Sequence, residues 1–115
     1  MNIILDTHIF LWAISAPDKL GDRLCSEISS RANTVYVSAM SIAEITIKAS
    51  LGKLTVDFDP VVIAQESGFE LLDFRAGDAL KLLSMPFHHK DPFDRMIIAQ
   101  AITHDYHVIT SDKKF

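Results

Sequence analysis

The sequence predicts an α/β fold, a three-layer α/β/α sandwich around a central parallel sheet. Two observations carry the prediction. Short β-branched or apolar runs alternate along the chain with longer stretches of helical spacing, the pattern of a parallel sheet covered on both faces by right-handed crossovers. The length of 115 residues, with 49% hydrophobic and 23% charged content, suits a globular core rather than disorder, and residues 1–115 read as a single domain.

The elements follow in order. Residues 2–6, Asn-Ile-Ile-Leu-Asp, read as a short buried strand. Residues 8–15 are apolar on nearly all sides and read as a buried helix that Pro17 ends. Residues 18–31 carry Leu20, Leu24 and Ile28 at spacing four, an amphipathic helix. Residues 34–38, Thr-Val-Tyr-Val-Ser, make a second strand. Residues 39–51 return to helical spacing and stop at Gly52. Asp59-Pro60 opens a helix that ends near Gly68, and residues 69–74 are a third strand. Residues 78–84 read as a short helix and 85–90 as a loop. Asp91 then precedes Pro92 as an N-cap before a helix to about His104, with Ile97, Ile98, Ala101 and Ile102 on one face. Residues 107–111 are the fourth strand.

Four acids fall where such a fold binds ligands, outside the carboxyl ends of the strands. Asp6 ends the first strand, Glu44 lies early in the helix after the second, Asp94 stands in the first turn of its helix, and Asp112 follows the fourth strand. Converging carboxylates repel unless a cation compensates them. Hard oxygen donors suit Mg²⁺ or Mn²⁺, which in an acidic pocket can activate water and neutralise charge on a phosphoryl group. The chemistry suggested is metal-assisted phosphodiester hydrolysis. Each acid also has a purely structural reading. Ser41-Ile-Ala-Glu44 fits a capping box, Glu44 and Lys48 fit an i,i+4 pair, and an acid such as Asp94 complements a helix dipole. Asp91 is assigned to capping and Asp94 to chemistry.

These residues resemble the PIN-domain nucleases, specifically the VapC-like toxins of bacterial toxin–antitoxin pairs, over essentially the whole chain. Leu5-Asp6-Thr7-His8 with Leu11-Trp12 looks like the opening motif. Ser41-Ile-Ala-Glu44-Ile45, Ile47-Lys48 and Leu51-Gly-Lys-Leu54 are similar to the second block. His89-Lys-Asp-Pro-Phe-Asp-Arg95 with Ile97-Ile-Ala-Gln-Ala101 resembles the third, and Ile109-Thr-Ser-Asp-Lys-Lys-Phe115 the fourth. The resemblance implies a PIN fold and a metal-dependent endoribonuclease that leaves 5′-phosphate and 3′-hydroxyl ends. It carries an Mg²⁺ or Mn²⁺ site onto Asp6, Glu44, Asp94 and Asp112, and a water- or phosphate-orienting role onto Thr110. It also implies an RNA substrate, a cognate antitoxin and a homodimer.

Other classes are weighed against this. A net charge of −4 leaves no broad cationic surface for nucleic acid, so local lysines such as Lys48, Lys53, Lys113 and Lys114 would have to supply the field. Cys25 is the only cysteine, which excludes an internal disulfide and reads as a small buried side chain. No secretory leader is evident and the longest apolar run, residues 9–14, is too short for a bilayer, so no membrane role and a cytoplasmic location are expected. A haloacid-dehalogenase-type phosphatase would want an acid where His8 stands, and a phospho-receiver would have only Asp73. A PIN-fold module that binds an antitoxin or RNA without cutting is the main rival. His8 is expected to pack near Trp12, and Arg95 to make intramolecular contacts. Phe10, Leu11 and Trp12 are expected in the core, and His88, His89 and Lys90 in a loop that solvent or RNA phosphates contact.

Overall fold

The computed structural model describes residues 1–86 and 91–111. Its sheet is wholly parallel and consists of β1 (Asn2–Leu5), β2 (Thr34–Ser38), β3 (Glu70–Leu72) and β4 (His107–Ile109), in spatial order β3-β2-β1-β4. Ile4 at the centre stands beside Tyr36 on one side and Val108 on the other. Side chains alternate across the pleat, so each strand feeds two cores. On one face Ile3, Leu5, Val35, Val37 and Ile109 pack against Ile9 and Phe10 of helix α1 (Thr7–Ser15) and Ile45 of helix α3 (Ala39–Ser50). On the other, Ile4 packs with Ile97 and Ala101 of helix α6 (Pro92–His104), flanked by Tyr36 and Val108. Helices thus cover both faces, which is the predicted three-layer α/β/α arrangement.

The local rules account for most boundaries. Asp59 caps α4 (Pro60–Glu66) through two backbone N–H groups, and Pro at the first helical position fits beside it. Gly52 (φ 73°) and Gly68 (φ 83°) end α3 and α4 in the left-handed region where a side chain would be strained.

Several details depart from the sequence reading, and the strands expected over 69–74 and 107–111 shorten to Glu70–Leu72 and His107–Ile109. The helix expected over 18–31 is a 3₁₀ turn, Pro17–Leu20, followed by α2 (Gly21–Ser29), because Gly21 takes φ 79° between them. The helix expected from Asp78 begins earlier, as α5 (Ala76–Lys81), since Asp78 reaches back from the third position to accept from the Arg75 N–H at 2.9 Å. The remainder of that stretch, Leu82–Ser84, is a 3₁₀ turn. The α3 cap is Ser38, whose hydroxyl accepts from the Met40 N–H, so the capping box of Ser41 and Glu44 does not form.

The buried face of α6 also differs from expectation. Ile97, Ala99, Gln100 and Ala101 are buried, whereas Ile102 is 47% exposed. Gln100 is tolerated inside because every polar atom is paired. Its Oε1 accepts from Ser38 Oγ at 2.6 Å, and its Nε2 donates to the carbonyls of Leu72 and Asp73 at 3.4 and 3.1 Å. One side chain therefore ties α6 to the carboxyl ends of β2 and β3. Phe10 is fully buried, Leu11 and Trp12 are half-buried against the same core, and Cys25 is half-buried rather than buried. No described helix is long and apolar enough to cross a membrane. Asp112, His88, His89, Lys90, Lys113 and Lys114 lie outside the described residues.

Candidate active site

Strand order reverses at β1: β2 and β3 lie to one side, β4 to the other. The crevice beyond the β1 and β4 ends is a topological switch point, the usual ligand position in open parallel sheets. Asp6 follows β1 directly, and Thr110 and Ser111 follow β4. The backbone joins here too, the Asp6 N–H donating to the Ile109 carbonyl at 2.9 Å.

Asp6 is 4% exposed and its carboxylate is fixed from both ends. Oδ1 caps α1 by accepting from the Ile9 N–H at 2.7 Å. Oδ2 accepts from Thr110 Oγ1 at 2.6 Å and from the Ser111 N–H at 3.2 Å. The residue is thus a helix cap and a strand-end clamp at once, yet it still lines an open cavity of about 430 Å³.

Glu44 reaches the same cavity from the second turn of α3, with 6% exposure. Its Oε2 accepts from Lys48 Nζ at 2.6 Å, the i,i+4 pair expected from sequence. Its Oε1 is buried and has no hydrogen-bond partner among the described residues. Leaving a buried polar oxygen without a partner is costly, so this one calls for a physical reason. The Lys48 ammonium is held charged above its ordinary range, first by the hydrogen bond with Glu44 and further by the charges of Glu44, Asp91 and Asp94, with partial burial opposing. This lysine is the built-in counter-cation of an acidic pocket.

Two acids come from the start of α6. Asp91 Oδ1 caps the helix, accepting from the N–H groups of Phe93 and Asp94 at 2.8 and 3.3 Å. Asp94 lines the cavity, and so does Asp91. Sequence reasoning gave Asp91 a capping role alone, and no local signal could have added the second, since it depends on where α6 lies against the sheet. The structure therefore gathers Asp6, Glu44, Asp91 and Asp94 around one cavity, with Lys48 and Lys53 on its wall. Arg95 points elsewhere, donating to the carbonyls of Pro86 and Leu82 at 3.0 and 3.2 Å.

A second bond missed by sequence holds the acids in place. Thr7 Oγ1 donates to Ser41 Oγ at 3.0 Å, both buried. It joins the residue after Asp6 to the residue one turn before Glu44, locking α1 against α3. His8 lines the cavity beside Thr7 and stacks on Trp12, with ring centroids 5.7 Å apart, as its expected packing role requires.

Among the described residues, no three of His, Cys, Asp or Glu are close enough to form a ready-made metal cage. The donor chemistry nonetheless fits a hard divalent cation: carboxylate residues lining an open cavity, and a Glu44 Oε1 that has no hydrogen-bond partner among the described residues. Such a cation, keeping several waters, needs few protein ligands.

The model of the PIN domain family matches residues 3–115 of the chain. No curated protein matches it. Among solved structures, the fold is similar to VapBC2 from Rickettsia felis bound to a DNA fragment from its promoter. That likeness has a TM-score of 0.73 at 22% identity, over 100% of this chain and 91% of that one. DNA-bound VapBC from Salmonella typhimurium is similar at TM-score 0.67 and 20% identity, over 100% and 90% of the two chains. A toxin–antitoxin complex from Klebsiella pneumoniae is similar at TM-score 0.65 and 18% identity, over 97% and 88%.

Proposed function

The chain belongs to the PIN domain family, and from that premise we propose that it is a metal-dependent endoribonuclease acting as the toxin of a toxin–antitoxin pair. One observation carries the reading most directly: Glu44, whose buried Oε1 has no hydrogen-bond partner among the described residues, lines one cavity with Asp6 and Asp94 at the switch point of the sheet. Asp6, Glu44 and Asp94, with Asp112 after β4, would hold Mg²⁺ or Mn²⁺. Bound there, the ion supplies Lewis acidity that lowers the pKa of a water and neutralises charge on the phosphoryl oxygens.

The chain's own residues do the rest. Thr110 and Ser111 fix the Asp6 carboxylate so that it meets a ligand in one orientation. The Thr7–Ser41 bond keeps Asp6 and Glu44 on their facing walls. Lys48 and Lys53 supply positive charge beside the acids, where an RNA phosphate must approach a chain of net charge −4. Hydrolysis of this kind leaves a 5′-phosphate and a 3′-hydroxyl.

The partner proposed is a cognate antitoxin that covers the cavity. Its support is that the similar folds occur in toxin–antitoxin complexes. A homodimer and a cytoplasmic location belong to the same proposal. The rival is a module that binds an antitoxin or RNA without cutting.

Cleavage of total bacterial RNA by the purified chain separates the two. Discrete fragments that need Mg²⁺ or Mn²⁺, disappear with EDTA and are absent with a folded Asp6→Asn variant are the expected result. Wild-type turnover by Asp6→Asn overturns the site. Absence of both cleavage and metal binding moves the reading to the non-cutting module.

A further inference from the structure

The acid cavity is lined by an aromatic ring, His8, that the hydrolytic reading leaves unused. His8, at the second position of α1, is exposed and lines the cavity. Trp12 lies one turn further along the same helix face, and the two rings stack with centroids 5.7 Å apart and planes 26° apart. Leu11, between them, lines the cavity as well. Trp12 is anchored on the core that contains Phe10 and Ile9, and Lys19 Nζ stands 6.0 Å from its ring.

The stack adds little to folding, because Trp12 already has its apolar support and His8 faces solvent. It does back the cavity-lining His8 ring with the ring of Trp12, a flat π surface at the cavity's edge. A ring held this way loses little conformational freedom when something stacks on it. Glu44 and Lys48 of α3 and Asp94 of α6 line the same cavity as His8, so carboxylates, an ammonium and an aromatic ring share one opening. A nucleotide has the same two halves, a charged phosphate and a flat base, and base–aromatic stacking is tolerant of which base is present.

We propose that the His8–Trp12 stack is a nucleobase platform, holding the base of a nucleotide next to the phosphate that the acid cavity receives. The proposal rests on the nuclease reading for its substrate, and names the residues that grip the base rather than the phosphate. His8 is a binding residue in this account and takes no part in the hydrolysis.

Trp12 is the chain's only tryptophan, so its fluorescence reports directly on the stack. The experiment titrates the Asp6→Asn protein in Mg²⁺ with a short oligoadenylate and with an abasic ribose-phosphate oligomer of the same length and charge. The base-bearing oligomer should quench Trp12 and bind about tenfold more tightly than the abasic one. His8→Ala in the same background should erase that difference, and His8→Phe should keep it. Equal affinity for the two oligomers, or an unchanged preference in His8→Ala, overturns the platform. Cleavage of total RNA by the otherwise wild-type chain, with and without His8→Ala, is measured alongside. Cleavage without a base preference sinks the platform and spares the nuclease. A base preference without cleavage by wild type does the reverse, and neither cleavage nor binding sinks both.

Discussion

Thr110 Oγ1 donates to Asp6 Oδ2 at 2.6 Å, joining residues 104 positions apart across the point where the strand order turns. The bond brings together the ends of central β1 and edge strand β4, beyond which the cavity opens. It also leaves Asp6 Oδ1 free for its other duty as the cap of α1. A metal-binding carboxylate depends on such partners for its orientation, and losing one typically costs about 10- to 100-fold in affinity or activity.

Thr110→Val keeps the shape of the side chain and removes the donor. RNA cleavage should fall by about 10- to 100-fold, with Mn²⁺ affinity falling in parallel. Thr110→Ser should restore most of both. Calorimetric Mn²⁺ binding and cleavage rates on the three proteins check this, and equal values for valine and wild type would show that Asp6 needs no clamp.

Lys48 should act in the opposite direction on metal and on RNA. Its ammonium sits 2.6 Å from Glu44 Oε2, where it would compete with a divalent cation for that carboxylate. Lys48→Met removes the competitor and should tighten Mn²⁺ binding by about fivefold, roughly the strength of one partly exposed ion pair. The same change removes a positive charge from the cavity wall and should weaken RNA binding, most clearly at low salt. Titration calorimetry with the metal and a filter-binding assay with RNA separate the two effects. Weaker metal binding in the variant would make Lys48 a support of the site instead.

Much of this site was legible in the sequence, and the limits have physical causes. β1 and β2 declare themselves by continuous apolar and β-branched runs, and Asp59 and Asp91 by the proline that follows each. Asp6, Glu44 and Asp94 could be brought together because strand-end positions in a parallel sheet share one edge. Features set by tertiary geometry were not legible. Ser38 rather than Ser41 caps α3, because the strand-to-helix turn puts Ser38 in extended conformation just before the first helical N–H groups. Ser41 instead pairs with Thr7, a contact between helices 34 residues apart. Asp91 and His8 join the cavity by placement alone, and the Gly21 break depends on a backbone angle that glycine permits but does not announce.

On the opposite face, Tyr36 stacks on Tyr106 with ring centroids 4.9 Å apart. A hydrogen bond with the Tyr106 side chain, then burial, then the Coulomb effects of Tyr106 and Glu70, raise the Tyr36 hydroxyl above its usual value of 10.0. A folded-state pKa raised above the unfolded one stabilises the protein fully below the unfolded value and loses that stability as pH rises through the folded one. The melting-temperature difference between wild type and Tyr36→Phe should therefore be constant from neutral pH to about 9 and shrink above 10.0. A difference that stayed flat through that range would remove the hydroxyl from the account.

Gln100→Leu tests whether α6 is held by its apolar stripe or by its one buried amide. Hydrophobic patterning alone predicts a gain, since leucine extends the stripe of Ile97 and Ala101 against the sheet. The hydrogen bonds predict a loss. Without the amide, Ser38 Oγ must find another acceptor, and the carbonyls of Leu72 and Asp73 lose their donor at the ends of the sheet. Stranding buried polar groups costs about 1–3 kcal/mol each, and a leucine side chain returns only part of that through burial. Urea denaturation should give a net destabilisation of about 2–4 kcal/mol. Because Ser38 also caps α3, which carries Glu44, the variant should lose cleavage activity at temperatures where it is still folded. A variant as stable and active as wild type would mean that the apolar contacts of Ile97 and Ala101 alone register α6, and Asp94 with it, against the sheet.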